Sequence, residues 1–242
     1  MKTKQNVILL IIPVLLLFFA SCSKDNRRIK GQGPIVQQSY ELNPISGVAL
    51  SIDAAVYITK GDSQQVMIEG QQNIINNIEK YVSTDGIWHI GYHNPVKNHA
   101  GVVIRITTPN FDYATISGSG FVETKNQFNG SDHVYINISG SGSISMAVDA
   151  NVVESIISGS GQVSLSGSAF EHHLNISGSG NVRALDLETN KTYVHISGSG
   201  NSEVHVIEYL DVNISGSGNV YYKGTPQINA NISGSGGIIN WN

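Results

Sequence analysis

The chain has 242 residues, of which 13% are charged and 40% apolar; it carries 26 glycines, and 14 basic side chains stand against 18 acidic ones. This balance suits stacked strands and tight turns and excludes a disordered chain, while the absence of a basic stripe excludes nucleic acid as the expected partner. Cys22 is the only cysteine, so no disulfide can form within the chain.

Lys2 and Lys4 precede an apolar run over residues 7–20 that is interrupted by Pro13. A membrane-spanning helix needs about 20 apolar residues, so residues 1–21 read as a cleaved secretory signal. The segment Phe19-Ala20-Ser21-Cys22 resembles a bacterial lipobox, with Phe19 where leucine is usual. That resemblance implies lipidation of Cys22, which becomes the acylated first residue of the mature chain; an ordinary signal peptide that contains a cysteine is the alternative. Several acyl chains give stable anchoring where one is marginal, so the expected partner at this end is a membrane. Ser23 stands where inner-membrane lipoproteins carry aspartate, which favours the outer membrane, on its surface or its periplasmic face. Lys24-Asp25 is loosely similar to the surface-export signals of Bacteroidetes lipoproteins. Residues 22–36 then comprise the lipidated cysteine and a polar, flexible tether, with Arg27, Arg28 and Lys30 as linker charges near the headgroups.

Residues 37–110 read as β-rich. Val48, Leu50 and Ile52 alternate with small or polar residues, as do Val56 and Ile58, and Val102, Ile104 and Ile106. One short helix is expected within residues 71–82, where Ile74, Ile75, Ile78 and Val82 share a face at helical spacing. The segment forms either a small β-rich cap or the first coils of a solenoid.

Over residues 111–242 the pentapeptide Ile-Ser-Gly-Ser-Gly occurs seven times, beginning at Ile116, Ile138, Ile157, Ile176, Ile196, Ile214 and Ile232, at intervals of 18 to 22 residues. A period of this size marks a solenoid, because one repeat is too short to bury its own apolar face. Before each turn, Ile and the residue two places earlier are mostly apolar with polar residues between; after it, Val122, Ile144, Val163, Val182, Val220 and Ile238 resume the alternation. Each repeat is therefore strand, glycine turn, strand and a variable connection. The expected fold is an all-β parallel β-helix, its seven coils stacking to roughly 29 Å at about 4.8 Å per step. Its edge strands could pair with another copy unless Trp241 and the N-terminal region cover them.

These Ser-Gly-Ser-Gly repeats, with Gly47-Val48 in the opening strand and a lipoprotein signal ahead of them, resemble the Bacteroidetes family described as "putative auto-transporter adhesin, head GIN domain", over approximately residues 46–242. The resemblance implies a right-handed parallel β-helix on an exported protein and supplies no catalytic residues.

No Gly-Lys-Ser/Thr follows any of the turns, so a P-loop is not expected. The residues after the turns, Phe121, Ser143, Gln162, Asn181, Asn201, Asn219 and Gly237, carry no carboxylate, which argues against repeated calcium coordination. Asp149, Glu154, Glu171, Asp186, Glu188, Glu203, Glu208 and Asp211 fall in different repeat registers and form no evident acid/base pair. His89 and His93, four apart on a strand, lie too far apart to share one ion easily. No cofactor, metal or catalytic residue is therefore expected.

The outward face before the turns offers more. Two residues before the first Ser stand Thr115, Asn137, Ile156, Asn175, His195, Asn213 and Asn231; four before it stand Tyr113, Tyr135, Glu154, His173, Tyr193, Asp211 and Asn229. Tyr113, Tyr135, Tyr193, Asn137, Asn175, His195, Asn213 and Asn231 are the candidate binding residues, tyrosine rings supplying apolar area and amides supplying directed hydrogen bonds to a glycan or protein; both ladders also stabilise pairing between coils. The expected role is a non-catalytic, envelope-anchored adhesin. A polysaccharide-active β-helix enzyme and a structural envelope protein are the alternatives.

Overall fold

The structure, a computed structural model, describes residues 28–242; the signal, Cys22 and the start of the tether lie outside them. Among the described residues no helix is long and apolar enough to cross a membrane.

Strands Ser143–Gly159, Gln162–Gly178, Asn181–Gly198 and Asn201–Gly216 each run from one turn to the next. Each pairs in parallel with the strand one repeat later, so Ile116, Ile138, Ile157, Ile176, Ile196, Ile214 and Ile232 stand in one column. The chain is thus a parallel β-solenoid, as the repeat spacing predicts. Unequal repeat lengths are absorbed away from the turns, as register shifts between Asn129 and Ser131, Ser164 and Ser166, and Ala184 and Glu188.

The turn explains its own composition. Gly178 has φ +123°, and a Cβ there would lie 2.6 Å from the Gly159 carbonyl oxygen. Gly180 faces inward, where a Cβ would strike the Ile157 side chain. The Ser179 N–H donates to the Gly159 carbonyl at 2.8 Å, as Ser160 does to Gly140 at 2.9 Å and Ser217 to Gly198 at 2.8 Å. The turn amides therefore bond along the stack and do not converge on a ligand.

The first six turn isoleucines are at most 1% exposed, each such burial contributing about 1.5–3 kcal/mol. Polar groups interrupt the core in the middle coils. Ser155, His172, Thr189, Thr192 and Ser202 are all buried; Ser155 Oγ lies 3.1 Å from His172 Nε2, and Thr189 Oγ1 lies 2.7 Å from Thr192 Oγ1 and donates to the His205 carbonyl at 2.8 Å. His172 Nδ1 and Ser202 Oγ have no partner. Burial, reinforced by the neighbouring His173, holds the His172 pKa down to about 4 against an ordinary 6.5.

The N-terminal region supplies both a cap and further coils. Gly47–Leu50 pairs with Tyr113–Gly118, and Ala54–Lys60 with Phe121–Thr124, both in parallel and in the solenoid register. Leu50-Ser51-Ile52-Asp53-Ala54 thereby occupies the place of a turn pentapeptide. Beneath this coil lie Ile87–Ile90 and Val102–Thr108, so residues 47–60 are sandwiched between segments that come later in the chain. Antiparallel strands close this end: Gln65–Gln71 on Val102–Thr108, Ile35–Tyr40 on Gln65–Gln71, and Tyr81–Val82 on Ile87–Ile90.

Two expectations need correction here. The helix spans only Gln72–Asn76, because Asn77 ties the chain to the next loop: its amide donates to the Asn94 carbonyl at 2.7 Å and its side-chain oxygen accepts the Asn94 N–H at 3.0 Å. Ile78 and Val82 are buried outside it. The tether ends before residue 36, since Ile29–Lys30 pairs in parallel with Val96–Lys97 and the Gln32 N–H donates to Asn73 Oδ1 at 3.0 Å. At the far end Trp241 is 56% exposed and does not cover the last coil.

Gly178→Val combines a positive φ with a backbone clash, so we expect a loss of about 3 kcal/mol of stability and a lower melting midpoint. Because His172 is held neutral in the folded state, its contribution is present in full above pH 6.5 and is lost as pH falls to about 4, an effect of about 3 kcal/mol. Denaturant titrations across that interval should show this acid loss in the wild-type chain and a flatter profile for His172→Leu.

Candidate functional site

The predicted outward ladders exist. Tyr113, Tyr135, Glu154, His173, Tyr193, Asp211 and Asn229 are consecutive partners across the coils, as are Thr115, Asn137, Ile156, Asn175, His195, Asn213 and Asn231. Sequence reasoning missed a third column beside them, six residues before the first Ser: His133, Val152, Glu171, Lys191, Tyr209 and Gln227. Counting back one further alternation would have found it.

The rings do not present their faces to solvent. Tyr113 and Tyr135 stack at 5.3 Å between centroids with 19° between planes, and His173 and Tyr193 at 4.8 Å with 13°. Parallel rings this close cannot lie side by side in one plane, so they stack face to face along the solenoid axis. What they offer outward is edges, hydroxyls and ring nitrogens. Tyr209 meets Tyr193 edge-on at 6.2 Å. Gly47 is accounted for by the same packing, since a Cβ there would lie 2.6 Å from Tyr113 Cβ.

Ion pairs and hydrogen bonds link the columns. His133 Nε2 lies 3.4 Å from Glu154, His173 Nε2 3.2 Å from Glu171, and Lys191 Nζ 3.5 Å from Glu171 while lying over the Phe170 ring at 5.0 Å. Asn229 Nδ2 donates to Asp211 at 2.5 Å. Burial, followed by the charge of Glu154 and the proximity of Tyr113, raises the Tyr135 pKa against a smaller lowering by a hydrogen bond from Asn137. Asn137 Oδ1 is buried without a partner.

A shallow groove of about 340 Å³ crosses this face, lined by Glu154, Asn175, Tyr193, His195, Asp211 and Asn213 among others. Four of the eight candidate residues, Asn175, Tyr193, His195 and Asn213, therefore share it. Tyr113, Tyr135 and Asn137 lie toward the N-terminal end of the same face and Asn231 in the last coil. Glu154 and Asp211 share one column, as the count back from the first Ser placed them, three coil steps or about 14 Å apart. Among the described residues no group of three or more His, Cys, Asp or Glu is arranged to hold a metal ion; His93 instead approaches Glu79 at 4.0 Å, and His89 stacks with Tyr81 at 5.7 Å.

Parallel coils stacked in register define a β-solenoid with a largely polar outer face before the turns. Residues 45–226 match the family described as "putative auto-transporter adhesin, head GIN domain", and the chain belongs to that family. Similar solved structures include a "putative adhesin" from Bacteroides fragilis NCTC 9343, 24% identical with a TM-score of 0.79, covering 88% of this chain and 100% of its own. A "putative lipid binding protein" from Parabacteroides distasonis ATCC 8503 is 21% identical with a TM-score of 0.76, covering 89% and 100%. A "putative adhesin" from the same organism is 20% identical with a TM-score of 0.73, covering 88% and 100%. At these identities the likeness is one of fold. A comparison with curated proteins gave no match.

If the His173 and Tyr193 rings couple through the stack, a double-mutant cycle with His173→Ala and Tyr193→Ala should return an interaction of about 0.5–1.5 kcal/mol in thermal or chemical unfolding.

Proposed function

We propose that the chain is a non-catalytic adhesin of the cell envelope, lipid-anchored to the outer membrane through Cys22 and binding a glycan or protein at the outward face before the turns. The observation that carries this reading is the register of that face: amides, imidazoles and phenol groups repeat at the coil spacing and open into one groove. Family membership supports it. The ring stacking makes recognition a matter of hydrogen bonds to edges and amides, because the faces that would lie against an apolar surface are used between coils. An extended polar ligand laid along the solenoid axis would meet the same kinds of group in successive coils.

The spacing of Glu154 and Asp211 supports a role without catalysis. Two carboxyl groups flanking a glycosidic bond stand about 5–9.5 Å apart, and this pair is set wider by the coils between them. His133 and His173 lie against Glu154 and Glu171, at 3.4 and 3.2 Å.

The test is attachment by intact cells that display the full chain, scored on glycan arrays and on immobilised matrix proteins. The triple variant Asn175→Ala/His195→Ala/Asn213→Ala changes exposed positions and should keep its melting temperature while losing about tenfold or more in binding, roughly 1.4 kcal/mol. Equal binding by the variant would move the site off this face, and absence of binding by the wild-type chain would overturn the adhesin reading.

A further inference from the structure

The two ends of the solenoid are finished differently. At the N-terminal end the helix Gln72–Asn76, the loop of residues 91–101 and the antiparallel strands close over the core, and Ile74, Ile75 and Ile78 are fully buried. At the other end Gln227–Gly234 pairs only with the strand Asn201–Gly216, and Gly237–Asn240 only with Asn219–Lys223. Ile228 and Ile232 continue the inward columns of Leu210 and Ile214, which are 0% exposed, yet each is itself 39% exposed. Trp241 turns aside to meet Tyr221 edge-on at 5.2 Å.

This end also lacks the usual protection. Soluble proteins keep edge strands from pairing with inward charges, bulges or proline, but residues 225–242 contain no Lys, Arg, His, Asp or Glu, and Pro226 precedes the strand. The coils below are different in kind: residues 111–224 carry four basic and eleven acidic side chains.

We propose that a second copy of this chain seats on this end, tail to tail, about a two-fold axis perpendicular to the solenoid. Each edge then supplies the other with a row of free N–H and C=O groups running antiparallel, and Ile228 and Ile232 of both copies are withdrawn from water together. A partner of marked charge would find nothing here to complement, whereas a second copy brings an edge equally free of charge and keeps the two acidic bodies pointing apart. Head-to-tail stacking would press these isoleucines against an end whose core is already covered, and would propagate; the two-fold arrangement closes at two chains.

The test is the molar mass of the full chain in detergent, by light scattering with the bound detergent subtracted, across a dilution series. The wild-type chain should give twice the single-chain mass, falling to one on dilution. Asn229→Lys/Ile239→Lys places like charges across the axis at outward positions and should raise the dissociation constant by about 100-fold with unchanged circular dichroism; Asn231→Lys alone serves if that variant does not fold. Ile35→Lys, at the opposite end, should leave the dimer intact. A single-chain mass at every concentration, a dimer indifferent to the lysines or abolished by Ile35→Lys, or a mass that grows without limit would each overturn the proposal.

Discussion

The structure depends on one hydrogen bond made repeatedly: the carbonyl of the first glycine in a turn accepts the N–H of the second serine in the turn above. That contact brings successive turns so close that a Cβ at Gly140, Gly159 or Gly178 would fall 2.6 Å from the oxygen below. Once the turns are pinned one above another, the strands entering and leaving them have no freedom of register, and every side chain within a few residues of a turn is assigned to a column. Irregularity is kept out of the turns and the strand segments that enter them, and the register shifts occur in the stretch that follows each turn.

The same strands serve the core and the outer face, so the two are coupled residue by residue. Glu154 points outward while Ser155 points in; His173 stacks on Tyr193 while His172 lies beneath it, bonded to that same Ser155. Three of the buried polar residues, Ser155, His172 and Thr192, thus alternate with the outward residues of the groove. A buried imidazole with one nitrogen unpartnered weakens these coils relative to their Ile- and Val-filled neighbours.

Much of this was legible because parity is strict in a strand. Counting back from each Ser placed Tyr135, Asn175 and His195 in their columns correctly, and the same count puts His172 inside the solenoid and His173 outside it. Three things were hidden. The orientation of the rings was not readable, since a column of Tyr and His states that rings are neighbours and says nothing of which surface they turn to solvent. The helix was overextended because Ile74, Ile75, Ile78 and Val82 keep helical spacing while Asn77 diverts the chain through contacts with Asn94, which lies 17 residues away. The coil at residues 47–60 could not be recognised from the turn repeat, because Leu50-Ser51-Ile52-Asp53-Ala54 contains no glycine and Asn98 is the only described residue other than glycine with positive φ. That turn has the right length and a different backbone.

The placement of that coil bears on how the molecule assembles. Residues 47–60 find partners only in residues 87–90 and 102–108 below and 113–124 above, so in a chain that emerges from its amino terminus this coil stays unpaired along both edges while dozens of later residues arrive. Repeat proteins in general can nucleate at any unit and grow outward. Here the amino-terminal end has to wait with its earliest strands exposed, a state in which unpaired edges invite misassembly. The cap is thus also a delay, setting the earliest moment at which the growing stack acquires a finished floor.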